Sequence, residues 1–118
     1  MINVRFRTHD ATRYLRLTVE GHAGADDRGH DLICASASIL AYTVAQVVNT
    51  MEQQGELEGM PCVELNPGDA TIIFRCKNDA IYTQAKHTFN VAETGYSLLA
   101  HNYPQYVDVK SVGEPYEA

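Results

Sequence analysis

The apolar period of this chain switches twice from two residues to between three and four, and a polypeptide that does so has to pack helices onto a sheet. Ile2, Val4 and Phe6 alternate with Asn3, Arg5 and Arg7, and Leu15, Leu17 and Val19 alternate with Arg16, Thr18 and Glu20. Both runs read as half-buried strands. The short turn His9-Asp10-Ala11-Thr12 between them makes an antiparallel hairpin. From Asp31 to about Gln54 the period lengthens. Ile33, Ala37, Leu40, Ala41, Val44, Ala45, Val47, Val48 and Met51 fall on one arc, with Ser36, Thr43, Gln46, Thr50 and Gln53 opposite. Asp31 is the expected N-cap of this helix, and Gly55 and Gly59 end it. The pattern then repeats. Strands over 62–65 and 70–76 flank the turn Asn66-Pro67-Gly68-Asp69. A second helix, capped by Asn78 or Asp79, carries Ile81, Ala85, Phe89, Ala92, Tyr96 and Leu99 on one face. Gly95 inside it costs about 1 kcal/mol relative to Ala and calls for a packing reason. Val107 and Val109 belong to a last strand, and 113–118 is expected to be a flexible tail. The expected fold is α+β: a single mostly antiparallel sheet, order of elements ββαββαβ, with two helices packed on it.

A chain of 118 residues is one domain, spanning 1–118, and folds without disulfide or metal. Nine Lys and Arg against fifteen Asp and Glu give a net charge of -6 and a pI near 5.2. That balance weighs against nucleic acid and acidic membranes and favours a basic partner. No apolar run is expected to approach the roughly 18 residues of a membrane span. The N-terminus alternates where a signal peptide would be uniformly apolar, so a cytoplasmic protein is expected. Three cysteines without a CxxC make no disulfide framework, which leaves the question of whether one thiol is reactive.

The chemistry concentrates between Gly21 and Ser38. His22 follows a strand end. With Asp31 as N-cap, Cys34 is the third helical residue, where free N–H groups and the helix dipole stabilise a thiolate. The intervening loop, 23–33, is long enough to bring His22 beside Cys34 as general base and later acid. Ala35, Ser36 and Ala37 leave room for an extended peptide, Ser38 shares the helix face of Cys34, and nearby backbone N–H groups offer an oxyanion hole. Plainer readings stand beside these. A cysteine near an apolar arc is commonly core, as expected for Cys62 and Cys76. Ser38 has the option of back-bonding to the Cys34 carbonyl. Asp31 is most simply a cap, and His9, His87 and His101 lack partner spacing. A metal site from His22, Asp26, Asp27, His30, Asp31 and Cys34 matches no compact zinc motif. Nucleotide-binding and HExxH motifs are absent from the sequence.

Gly21-His22-Ala23, then Gly29, then Asp31-Leu32-Ile33-Cys34-Ala35 and Ser38 resembles the signature of the ribosomal-processing cysteine protease family known as Prp. That family has a GHA element, an intervening loop and, at this spacing, a GxD[IV]xCAxxS element that opens a helix. Leu32-Ile33 stands where isoleucine-valine is frequent, and Ser36 adds a hydroxyl able to touch substrate or solvent. The resemblance implies a cysteine endopeptidase with His22 and Cys34 catalytic, and Asp31 and Ser38 in supporting or substrate-positioning roles. It implies a mobile loop over the site that includes Ala23, Gly24, Gly29 and His30. It also implies no cofactor, no metal and a homodimer. The implied substrate is the precursor of a large-subunit ribosomal protein (number twenty-seven), cut after an aromatic residue in its apolar N-terminal extension. Tyr42 or Tyr96 is the expected contact for that aromatic side chain. The alternative is a non-catalytic module that holds an apolar peptide in ribosome assembly, for which the His22–Cys34 pairing has no use.

Overall fold

The computed structural model describes residues 1–22 and 28–114, without the side chains of 28–31 and 114. Five strands and two long helices follow in the expected order. β1 (Ile2–His9) and β2 (Tyr14–Glu20) are joined by a short 3-10 turn, Asp10–Thr12. Then come α1 (Arg28–Gln53), β3 (Cys62–Asn66), β4 (Asp69–Arg75), α2 (Asp79–Asn102) and β5 (Val107–Glu114). The sheet order is β3-β4-β2-β1-β5. Every pairing is antiparallel except β1 with β5, because α2 carries the chain across the sheet before β5 joins the far edge.

Alternation decides which face the helices cover. Ile2, Val4, Phe6, Leu15, Leu17, Val19, Ala70, Ile72 and Phe74 are all buried under them. Seven of the nine residues on the expected arc of α1 are buried, and Leu40 and Val47 pack partly against the core. On α2 the buried set is Tyr82, Ala85, Phe89, Ala92 and Tyr96. The rings of Phe6, Phe74, Phe89 and Tyr96 meet edge to face at centroid distances of 5.2 to 5.9 Å and form the centre of the core. Gly95 has the packing reason it called for: a Cβ there would stand 2.9 Å from Cδ2 of Leu40 on α1.

Several boundaries differ from the sequence reading. α1 begins at Arg28, so Asp31 is its fourth residue and no N-cap, and Gly29 and His30 belong to the helix and to no loop. Of the loop expected to be mobile, Ala23 and Gly24 lie outside the described residues. Gly113 and Glu114 extend β5 beside Thr8 and His9, so the expected tail is shorter, and 115–118 lie outside the described residues. The stretch Leu32–Gln53, 22 residues long, is apolar enough by composition alone to cross a membrane. The expectation that no segment approaches a span therefore fails on composition, but the apolar face of this helix is spent on the sheet. α1 stops as the sequence implies. Gly55 takes φ 73° while its N–H bonds the Glu52 carbonyl at 3.0 Å and the Glu56 N–H bonds that of Met51 at 3.0 Å. This pair of bonds is a Schellman closure.

Candidate active site

Strand register brings distant pieces of the chain to one end of the sheet. β2 pairs with β4 so that Glu20 faces Asp69. The next residue, Gly21, therefore meets the tip of the β3–β4 turn, and its N–H bonds the Gly68 carbonyl at 2.9 Å. Gly21 takes φ 102°, and a Cβ there would collide with the Met1 carbonyl, so only glycine fits. On the following residue the Met1 nitrogen donates to the His22 carbonyl at 2.6 Å. The backbone of His22 is thus held between the start of β1 and the β3–β4 turn.

From the helical layer α1 presents Cys34 in its second turn, half-buried against the core. His22 and Cys34 line one hollow of about 50 Å³ together with Ser38, Tyr42, Gly68 and small residues of α1. The structure therefore unites three residues singled out in the sequence: His22, Cys34 and Ser38. Among the described residues the Ser38 hydroxyl has no partner, and the back-bond to Cys34 open to it is not formed. Ser36 behaves otherwise: its hydroxyl donates to the Leu32 carbonyl inside the helix at 2.7 Å. Asp31 lies on α1 one turn before Cys34, but its side chain is outside the described set.

Two expectations are corrected here. With α1 starting at Arg28, Cys34 is its seventh residue, beyond the first turn where the dipole acts most strongly. Tyr96 cannot receive a substrate side chain, because it is 0% exposed and its hydroxyl donates to the Ala37 carbonyl at 2.8 Å. Burial pushes its phenol well above the ordinary tyrosine range, which keeps that donor proton in place. Tyr42, by contrast, is half exposed and lines both the hollow and an adjoining apolar groove of about 560 Å³ along α1 with Ile39, Val47 and Met51.

The sequence reading missed Asn66, Gly68 and Asp69 as parts of the site. Their turn was visible, but its place beside His22 follows from the β2–β4 pairing between distant strands. Of the metal-ligand set, Asp26 and Asp27 lie outside the described residues, as do the side chains of His30 and Asp31. Among the described residues no three His, Cys, Asp or Glu side chains gather to hold an ion. The other thiols stand apart. Cys62 lies half-buried on the edge strand β3. Cys76 is buried, and its thiol is pushed up to about 11, chiefly by desolvation, with Glu56 adding and Arg13 opposing.

A thiol, an imidazole and a hydroxyl lining one hollow beside an apolar groove form an arrangement suited to acyl transfer on a peptide. Comparison with known proteins agrees. The model of the family described as cysteine protease Prp matches residues 1–108. A Streptococcus mutans protein, SMU.848, has a similar structure, with a TM-score of 0.65, 22% identity, and coverage of 97% of this chain and 96% of its own. An essential ribosomal processing protease, Prp from Staphylococcus aureus in complex with a substrate peptide, aligns with a TM-score of 0.65 and 18% identity over 95% of this chain and 100% of its own. The same protease with a covalently linked product peptide gives 0.63 and 19% at the same coverage. No curated protein matches the sequence.

Proposed function

The chain belongs to the cysteine protease Prp family, and we propose that it is a processing endopeptidase in which Cys34 is the nucleophile and His22 the general base and acid. The observation that carries this reading is that the two side chains, twelve positions apart in sequence, line a single hollow. In the proposed reaction His22 takes the thiol proton and the sulfur attacks the scissile carbonyl. Backbone N–H groups of α1 beside Cys34 receive the developing oxyanion. The imidazolium then protonates the leaving amine as the peptide bond breaks, and water, activated by the same imidazole, hydrolyses the thioester. Ser38, one helical turn on, offers its hydroxyl to the substrate backbone or the imidazole.

The substrate we propose is the precursor of a large-subunit ribosomal protein (number twenty-seven) with an apolar extension cut after an aromatic residue. The groove beside Tyr42, lined by Ile39, Val47 and Met51, supports an apolar peptide. The net charge of -6 suits a basic ribosomal protein. Exposed Leu32, Ile39, Val91 and Leu98 on the helical layer support a second copy of the chain as partner. Three free thiols suit a reducing cytoplasm. The test is incubation with a synthetic peptide of the extension, read by mass spectrometry. A single cut after the aromatic residue by the wild type and none by Cys34→Ala is expected. Binding of the peptide without any cut would leave a peptide-holding module instead.

A further inference from the structure

The imidazole of His22 rests over the one backbone position at the β3–β4 turn that has no side chain. Gly68 takes φ 74°, and a Cβ built on it would overlap Cε1 and Nε2 of the His22 ring. The register holds the two segments together: Glu20 pairs with Asp69, and the Gly21 N–H bonds the Gly68 carbonyl at 2.9 Å, so the turn and the backbone that carries the ring cannot drift apart. His22 is itself exposed, and among the described residues no hydrogen bond orients its ring. Among the described residues, contact with the turn is then what limits where the imidazole can stand.

We infer that Gly68 is a positioning residue of the dyad, its bare α-carbon being the seat that holds the His22 ring toward the hollow shared with Cys34. This rests on the reading of His22 and Cys34 as the catalytic pair. A side chain at 68 displaces the end of a rotatable side chain and leaves the turn backbone where it is. The damage therefore falls on the geometry of the pair more than on the fold. Two other glycines supply the control. Gly55 and Gly59 take φ 73° and 75°, nearly the same as Gly68, and nothing stands within 4 Å of a Cβ at either. Alanine at these positions incurs the same backbone strain without touching His22.

The experiment measures iodoacetamide alkylation of Cys34 by peptide mass spectrometry across pH 5 to about 9, so it needs no knowledge of the natural substrate. It uses the full chain as wild type, Gly68→Ala, Gly55→Ala, Gly59→Ala, His22→Ala and the double variant His22→Ala/Gly68→Ala. Gly68→Ala is expected to slow alkylation at neutral pH by about tenfold and to shift its pH profile toward that of His22→Ala. Its melting temperature should fall no further than those of the Gly55 and Gly59 variants. Cleavage of the synthetic extension peptide should fall by about a hundredfold, in kcat more than in KM. In the His22→Ala background Gly68→Ala should have no further effect, because the ring it displaces is gone. Equal alkylation by Gly68→Ala and the two control variants overturns the inference and leaves the dyad standing. So does an undiminished effect of Gly68→Ala in the His22→Ala background. A His22→Ala protein with the rate and pH profile of the wild type overturns the dyad itself, and the role of Gly68 with it.

Discussion

Three thiols share this chain, and their surroundings set them apart. Cys34 borders a hollow with an imidazole, whereas Cys76 is 1% exposed and Cys62 lies on an edge strand. Alkylation at neutral pH should accordingly label Cys34 first and Cys76 only after unfolding, as peptide mapping over a time course will show. Replacing Cys34 by Ser or Ala should lower peptide cleavage by about three orders of magnitude or more while leaving the melting temperature nearly unchanged. Cys76 leaves its mark on stability instead. Its folded thiol stands at about 11, above the value near 9.0 of a free one, so folding favours the protonated form. That contribution is complete below pH 9 and is lost as pH rises toward 11, and it amounts to about 3 kcal/mol. Urea unfolding at pH 8, 9.5 and 11 should show this decline in the wild type and a flatter dependence in Cys76→Ala. Tyr82 and Tyr96, also pushed up by burial, enter at higher pH because a free tyrosine titrates near 10. His22, Cys34 and Ser38 were legible as a group because they lie within 17 positions of one another. Gly68 was legible only as a turn residue, since nothing near it in sequence indicates which strand end its hairpin will adjoin.

Among the elements, α1 carries Cys34 and α2 sets where α1 lies. The Tyr96 hydroxyl holds the Ala37 carbonyl one turn beyond Cys34, and Gly95 lets Leu40 approach. Tyr96→Phe should cost about 1 kcal/mol in chemical denaturation, the net worth of one buried hydrogen bond. Gly95→Val should cost more, about 2–3 kcal/mol, because the larger side chain drives the helices apart. Both should lower cleavage in proportion to how far α1 shifts. Helix existence and facing were readable from periodicity. The start of α1 was not, because Arg28, Gly29 and His30 carry no apolar pattern and Asp31 has the chemistry of a cap. That error also placed Cys34 in the first turn of the helix, whereas it is the seventh residue. Tyr82 was missed as a core residue because its hydroxyl, bonded to Asp10 at 2.6 Å, gives a polar side chain a partner that sequence does not reveal.

For the whole molecule, one sheet face is covered by helices, and the outer surface of those helices carries exposed apolar residues among polar ones. Val91 is 74% and Leu98 61% exposed, and a groove of about 250 Å³ runs between α1 and α2 beside Val91. If a second copy covers this layer, Val91→Glu should convert a dimer to a monomer in sedimentation without a change in the melting temperature. The ββαββαβ order was legible because each change of period marks a change of element. The parallel β1–β5 pair was not, since strand order depends on where α2 crosses the sheet. The central claim is that this fold joins His22 and Cys34 into one reactive unit. It is tested most directly by treating the native chain with a short apolar peptide ending in an aromatic chloromethyl ketone and weighing the product. The account predicts one adduct per chain, mapped to Cys34, and formed at a rate that collapses in His22→Ala. An adduct on Cys62, or labelling of Cys34 that is indifferent to His22, would contradict it.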